Sequence, residues 1–401
     1  MNKRWKKPIL HDHQHEDHQH RATWLELFFD LVFVVTIAEL THRLSVDISL
    51  LGVGKFLFLF LPIWWTWIGI TFYNNRFQTN DLSERFSTFL VMLGIASLAY
   101  HIHAGLSTTS TGFALSYLFV RVIHFLLWYR AGWHNPQMKS IIHRYLFGIG
   151  ATIVLWSCSL FFDTPIRFLL WGAGLLIEII MPLTTLKLQK RHGSMEVSDY
   201  LPERFGLFMI IVLGESIIAV VRGISNTHHL TSNSLFTACL GAVFAFMIWW
   251  LYFDYINPRR IKDHPYFLAT WAYVHFPLVT GIAALGAGIL NLIELNGYLL
   301  PINVVWLVCG SMALSLGSIG ILEYTLKPER GRGMTPCKTS SGKSIRFGGM
   351  ALCLILPFFT SLHLAWILLS ILILITSLQI LHSEISDCHR HEENVLNEIN
   401  A

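Results

Sequence analysis

Apolar runs of about 17–25 residues, each long enough to cross the hydrocarbon of a bilayer, recur from Thr23 to Leu381 with only short polar breaks between them. Lipid offers no hydrogen-bonding partner to a backbone, so each run must satisfy its own N–H and C=O groups, and a helix does this within one segment. The composition agrees: 53% of the 401 residues are hydrophobic and 13% charged, against about 25% charged in an ordinary soluble domain. A soluble enzyme is excluded. The pattern predicts an all-α, polytopic transmembrane helical bundle of about twelve spans, over 24–43, 53–73, 84–106, 112–130, 144–162, 165–186, 203–224, 233–256, 265–290, 300–325, 345–361 and 363–382.

The net charge of +4 could suggest a nucleic-acid partner, but the basic residues sort by loop instead. With a cytoplasmic N-terminus, all but Arg43, Lys55, Arg167, Arg222 and Arg121 of the 29 Lys and Arg fall on inner segments. That skew predicts both termini in the cytoplasm, with the lipid bilayer as partner and no nucleic acid. The first 23 residues have no apolar core before a small-residue cleavage site, so no cleavable signal peptide is expected and the first span does the targeting. Thr23-x-x-Glu26 and Asp81-x-x-Glu84 have the form of capping boxes, and Pro165 and Pro202 suit first helical turns.

The halves of the chain resemble one another. Leu27-Phe28-Phe29-Asp30-Leu31 can be laid on Glu203-Arg204-Phe205-Gly206-Leu207, which sets Glu39 opposite Glu215, and Trp64-Trp65 matches Trp249-Trp250. This predicts two six-helix repeats, parallel because six is even. The expected organisation is a cytoplasmic basic, His-rich tail (1–23), a first repeat (24–186), a cytoplasmic linker (187–202), a second repeat (203–382) and a cytoplasmic C-terminal tail (383–401). A homo-oligomer is compatible with this architecture.

Ionisable side chains inside membrane spans are costly and therefore candidates for function. Asp30, Glu39 and His42 lie in span one, His101 and His103 in span three, Arg121 and His124 in span four, Glu178 in span six, Glu215 in span seven and His275 in span nine. Glu26 and Asp30, four apart, share a helix face, whereas Glu39 falls about 180° around from Asp30 at about 100° per residue. One reading makes Asp30, Glu39, His42, Arg121, His124, Glu178, Glu215 and His275 a polar path for a proton or monovalent cation, with Arg121 as fixed counter-charge. The other makes them packing devices: Arg121 latched to Asp30 or Glu178, Glu39 to Arg43, and histidines hydrogen-bonded between helices, the more frequent role for any single one.

Other signals carry less. His11, His13, His15, His18 and His20 offer imidazole to zinc, nickel or copper, but alternate spacing in a polar tail makes a weak, adaptable site. No resident cofactor is expected. Cys158, Cys239, Cys309, Cys337, Cys353 and Cys388 are too dispersed for a cluster and read as packed thiols. Ser341-Gly342-Lys343-Ser344 imitates a phosphate loop, yet its opening glycine would have to stand at Cys337. His42-x-x-x-x-Asp47 is too short a match to carry acyl transfer. The Trp64-Trp65-Trp67 and Trp249-Trp250 clusters, with Tyr252 and Tyr255, are expected as interfacial anchors, and Ala284-x-x-x-Gly288 as a close helix approach.

Several ordered motifs resemble one family. The run Glu26-Leu27-Phe28-Phe29-Asp30-Leu31-Val32-Phe33-Val34 with His42 is similar to the opening signature of the bacterial low-temperature-requirement A family. Glu203-Arg204-Phe205-Gly206-Leu207-Phe208 with Gly214-Glu215-Ser216, Trp249-Trp250-Leu251-Tyr252-Phe253-Asp254, and Tyr273-Val274-His275-Phe276-Pro277-Leu278 resemble its later motifs. The chain departs from that pattern at Val35, Thr36 and Glu39. The resemblance implies a bacterial inner-membrane protein associated with growth in the cold, of undefined biochemical activity. Phe29-Asp30-Leu31-Val32-Phe33 is also similar to the F-S-D-x-V-F run of a potassium-channel family built from six-helix repeats.

Together these readings predict a transporter or channel for protons, cations or an ion-coupled small solute, not an enzyme. A non-transporting scaffold or lipid-adaptation protein is the first alternative and a membrane-embedded lipid-modifying enzyme the second.

Overall fold

The computed structural model describes residues 7–8, 22–77, 79, 81–191, 200–227, 231–257, 259–295, 299–327, 340–359 and 364–399, with backbone alone at 191, 340–343 and 385–399. The helices are α1 (Trp24–Val46), α2 (Leu50–Phe77), α3 (Leu82–Ile102), α4 (Ser110–His134), α5 (Lys139–Ser159), α6 (Ile166–Arg191), α7 (Tyr200–Asn226), α8 (Ser232–Tyr255), α9 (Pro265–Glu294), α10 (Ile302–Thr325), α11 (Ser340–Ile355) and α12 (Ala365–Ile399). Among the described residues there is no strand, only an isolated bridge between Ile261 and Leu326. Ten of the helices are long and apolar enough to cross a membrane. The other two fail for different reasons: α1 carries Glu26, Asp30, Glu39 and Arg43, and α11 has 16 residues. The tail expected from residue 383 continues α12 as helix to Ile399.

Local chemistry explains the starts. At α1 the capping box closes in both directions: the Glu26 N–H donates to Thr23 Oγ1 (3.3 Å) and the Thr23 N–H to Glu26 Oε2 (2.9 Å). Asp81 caps α3 by accepting the Glu84 N–H (2.9 Å), but Glu84 turns its carboxylate to the Thr79 N–H (2.8 Å). Pro62, Pro182 and Pro277 stand inside α2, α6 and α9. Each is followed by a threonine, Thr66, Thr185 or Thr280, whose hydroxyl donates to a carbonyl one turn back. Such back-bonding accompanies helix bends where proline has removed a ladder bond.

The chain forms two compact units, one of 1–43, 54–208 and 263–266, the other of 44–53, 209–262 and 267–401. In the first, α4 packs on α3 and α5, and α5 on α6. Tyr73, Phe77, Trp128, Met138, Ile141 and Ile142 form one core. Trp64 and Trp67 form another with Phe205 and Phe208, the Trp67 and Phe208 rings 4.3 Å apart. Those contacts place 200–208 with the first unit, so the division between the two units falls within α7. They also correct the expected anchoring role: Trp64 and Trp67 are fully buried, because the Phe205 and Phe208 rings cover them. Trp249 is exposed, stacked between Phe246 and Phe253.

In the second unit α10 packs on α11 and α8 on α12. A Cβ on Gly288 would come within 2.6 Å of Val308, so the small-residue motif of α9 does mark a close approach, to α10. Cys158, Cys239, Cys309 and Cys353 are free thiols.

Candidate functional site

The capping box that starts α1 sets Glu26 in the first turn and Asp30 one turn later on the same face, and both side chains are buried. Glu26 is surrounded by donors: the Thr23 N–H and hydroxyl, the Asn74 amide (3.2 Å) and the Tyr200 phenol. Asp30 is held differently. Its Oδ1 accepts from the Trp67 indole N–H (2.8 Å) and from Arg204 Nη2 (2.7 Å), while Oδ2 has no hydrogen-bond partner among the described residues. Arg204 is also fully buried, and its Nε and Nη1 have no hydrogen-bond partner there. Three helix ends supply this cluster: the start of α1, the last turns of α2 and the start of α7.

Thr66, the neighbour of Trp67 on α2, belongs to a second buried cluster. Its hydroxyl accepts from Arg121 Nη2 (3.3 Å), and Arg121 Nε lies 3.5 Å from Glu178 Oε2. The guanidinium also covers the Tyr117 ring at 4.7 Å, and the Tyr117 hydroxyl donates to the same Glu178 oxygen (3.2 Å). Glu178 Oε1, like Asp30 Oδ2, has no hydrogen-bond partner among the described residues. His124 completes the group. Trp128 donates to its Nε2 (2.9 Å), and Arg121 Nη1 stands 3.1 Å from its Nδ1. Of the two latches open to Arg121, the structure makes the one with Glu178.

The other expected path residues are not gathered here. Glu39 is half-buried two turns and more beyond Asp30, and His42 is exposed. Glu215 and His275 belong to the second unit. Glu215 is buried, with Arg222 Nη1 3.9 Å from its Oε1. His275 bridges protein groups at both nitrogens: Nδ1 donates to the Trp271 carbonyl (2.7 Å) and Nε2 meets the Tyr252 hydroxyl (3.0 Å). His101 Nδ1 pairs with the Ser97 carbonyl and His103 is exposed at the end of α3.

The motif residues divide in the same way. Phe29 and Phe33 are buried and Phe28 is exposed; Gly206 is buried beside Arg204, Glu203 is half-buried near the Ala22 N–H (3.4 Å), and Gly214 has open space around it. Trp250 is half-buried, Asp254 is exposed, and Pro277 stands inside α9. Among the described residues no group of three or more His, Cys, Asp or Glu is placed to hold a metal; His11, His13, His15, His18 and His20 lie outside the described residues.

Two buried arginines correct the loop count. Arg204 and Arg346 read as inner loop cations in the sequence, yet both are fully buried. Arg346 on α11 donates from Nε to Glu323 (3.0 Å), from Nη1 to Gln379 (3.3 Å) and from Nη2 to Ser383 (3.1 Å), with Tyr255 under its plane. Hydropathy could not separate them from loop residues, because each stands at the end of an apolar run. Only the family motif beginning Glu203-Arg204 singled out Arg204; Trp67 was marked as an anchor and not as a partner of Asp30, and nothing local marked Arg346, Asn74 or Tyr200.

Comparison with known proteins covers these clusters. The sequence model of the family described as bacterial low temperature requirement A protein (LtrA) matches residues 21–380. The chain is also similar to an uncharacterized protein of Rhizobium meliloti (strain 1021), 27% identical over 288 residues, covering 67% of this chain and 69% of that relative.

Proposed function

The chain belongs to the bacterial low temperature requirement A (LtrA) family, and we propose that this membrane protein moves protons or a monovalent cation, alone or coupled to a small solute, through the buried polar groups of its first unit. The observation that carries this reading is the state of Asp30. It is a buried carboxylate with one oxygen anchored by Trp67 and Arg204 and the other without a hydrogen-bond partner among the described residues. Purely structural ionic groups in a bundle interior are satisfied on all sides, because each unsatisfied polar atom in a low-dielectric setting is costly. An oxygen left open beside an anchored one is the arrangement a binding site for a small positive species requires.

In this reading the protein is not an enzyme. It sits in the inner membrane with both termini cytoplasmic, as the distribution of loop cations supports, and acts as a monomer or a homo-oligomer. Its part in growth at low temperature is to sustain ion or solute movement when bilayers stiffen. The test is reconstitution in liposomes with proton, potassium and sodium gradients, comparing wild type with Asp30→Asn at matched incorporation. Flux in the wild type that the substitution abolishes supports the reading; a wild type that passes nothing under any gradient ends it.

A second reading has its own support. Arg346 of α11 is engaged at every side-chain nitrogen by groups of α10 and α12, as an interhelical fastener would be, and His275 of α9 meets Tyr252 of α8 through Nε2 while its Nδ1 donates within its own helix. A non-transporting scaffold would need such fasteners. Intact cold growth in a strain carrying Asp30→Asn with unchanged protein level would favour it.

A further inference from the structure

We propose that the ion taken up at Asp30 is the proton and that alkali cations are excluded there; this rests on the transport reading above. The first argument is the balance of charge. Among the described residues the cluster holds two carboxylates, Glu26 and Asp30 on α1, and one guanidinium, Arg204 on α7, which bonds Asp30. The other groups turned toward them are uncharged: Thr23, the Trp67 indole and Asn74 amide of α2, and the Tyr200 phenol. Glu203, half-buried at the start of α7, adds no positive charge. Among the described residues the buried site has two carboxylates and one guanidinium and so lacks one positive charge, and a single proton on Asp30 makes that set neutral.

The second argument is the kind of atom at the site. Alkali cations leave water only for a shell of oxygens that replaces their hydration. The groups that hold Asp30 are N–H donors, the indole at 2.8 Å and the guanidinium at 2.7 Å, with their hydrogens directed at Oδ1. The indole is in turn packed by Trp64, Phe205 and Phe208, which carry no oxygen in their side chains. A metal cation at Asp30 would face the Arg204 guanidinium and the indole N–H, both of which repel it, whereas a proton needs only one lone pair, which Oδ2 has.

The third argument is the room beside Asn74. Asn74, whose amide donates to Glu26, also lines a cavity of about 10 Å³ with Tyr73, Thr79, Glu84, Thr88 and Arg130. That volume is the room for about one water molecule, not for a hydrated ion. Hydronium that reaches Asp30 gives up one proton: an O–H bond forms at Oδ2, one breaks on the donor, and water is left behind. Release is the reverse step.

The experiment uses the full chain in liposomes with a pH-sensitive dye inside and rubidium or sodium tracer outside, in separate runs. An imposed pH gradient should collapse at the same rate whether the accompanying cation is potassium, sodium or N-methylglucamine, and tracer uptake should equal that of protein-free liposomes. Asp30→Asn keeps an oxygen to accept from Trp67 and Arg204 but cannot take the proton, so proton flux should fall by about 100-fold, the lower scale for losing a proton-transfer group. Asp30→Glu, which restores a carboxyl, should recover part of it, and Asn74→Leu should slow it. Tracer uptake above the protein-free level, or Asp30→Asn passing protons like the wild type, overturns this inference while leaving transport standing. No movement of any ion overturns the transport reading and this one with it.

Discussion

Arg204 reaches Asp30, 174 residues earlier in the chain, with Nη2 2.7 Å from Oδ1 and both side chains buried. The pair ties the start of α7 to the start of α1 inside one compact unit. Breaking a buried pair from one side leaves an uncompensated charge. Arg204→Met should therefore destabilise the protein by about 3–5 kcal/mol, and the double variant Arg204→Met with Asp30→Asn by less than the single one. Thermal unfolding in detergent would show it; a double variant no more stable than Arg204→Met would mean the two groups are not coupled.

Trp67 acts on Asp30 through its indole N–H and on Phe205 and Phe208 through its ring. Trp67→Phe keeps an aromatic ring and removes the donor. A hydrogen bond to a charged group is worth about 1.5–3 kcal/mol, so stability should fall by that order and Asp30-dependent flux should change with it. Trp64→Phe, at a neighbouring buried ring, serves as the packing control.

Gly69 lies where α2 meets His124. A Cβ there would stand 2.7 Å from the imidazole Cε1, and the ring is held at its other side by Trp128. Gly69→Ala should cost about 1–3 kcal/mol by overpacking and pull His124 away from Arg121. Exchange of the Trp128 indole proton, followed by NMR, would report the lost bond; an unchanged exchange rate together with unchanged stability would show that the ring moves freely.

Arg346 and Glu323 form the corresponding buried pair of the second unit, joining α11 to α10, with Gln379 and Ser383 of α12. Arg346→Met should lower stability by about 3–5 kcal/mol, and adding Glu323→Gln should return part of it. Proteolysis near α11 is a direct readout: the single variant should be cut faster than the wild type and the double variant at an intermediate rate.

His275 donates from Nδ1 to the Trp271 carbonyl of its own helix and meets the Tyr252 hydroxyl of α8 at Nε2, so the Tyr252 hydroxyl can be removed without touching the Asp30 site. Tyr252→Phe should cost about 1 kcal/mol or less, the usual scale for one interhelical bond, and leave ion flux unchanged. Flux lost at full stability would bring His275 into the path after all.

Much of the architecture was legible because a bilayer leaves few choices. Length and hydropathy predicted twelve helices, and the described residues form twelve α-helices, with α1 charged and α11 short. The capping boxes at Thr23 and Asp81 and the shared face of Glu26 and Asp30 were likewise readable, since each depends on residues within one turn. The role expected for the Trp64 cluster was not obtained, because an aromatic at a span end can face headgroups or a neighbouring helix with the same local sequence.

What the sequence by itself determined is the helical, membrane-spanning character of the chain, the family motifs and which spans carry charge. Those follow from hydrophobicity and from contacts between residues a few positions apart. The tertiary structure alone decided which charge meets which. It paired Arg121 with Glu178, Asp30 with Arg204 and Arg346 with Glu323, and it engaged both nitrogens of His275. Helical periodicity specifies the face on which a side chain lies, but the partner across that face depends on how separate helices pack, and no spacing within one span encodes it.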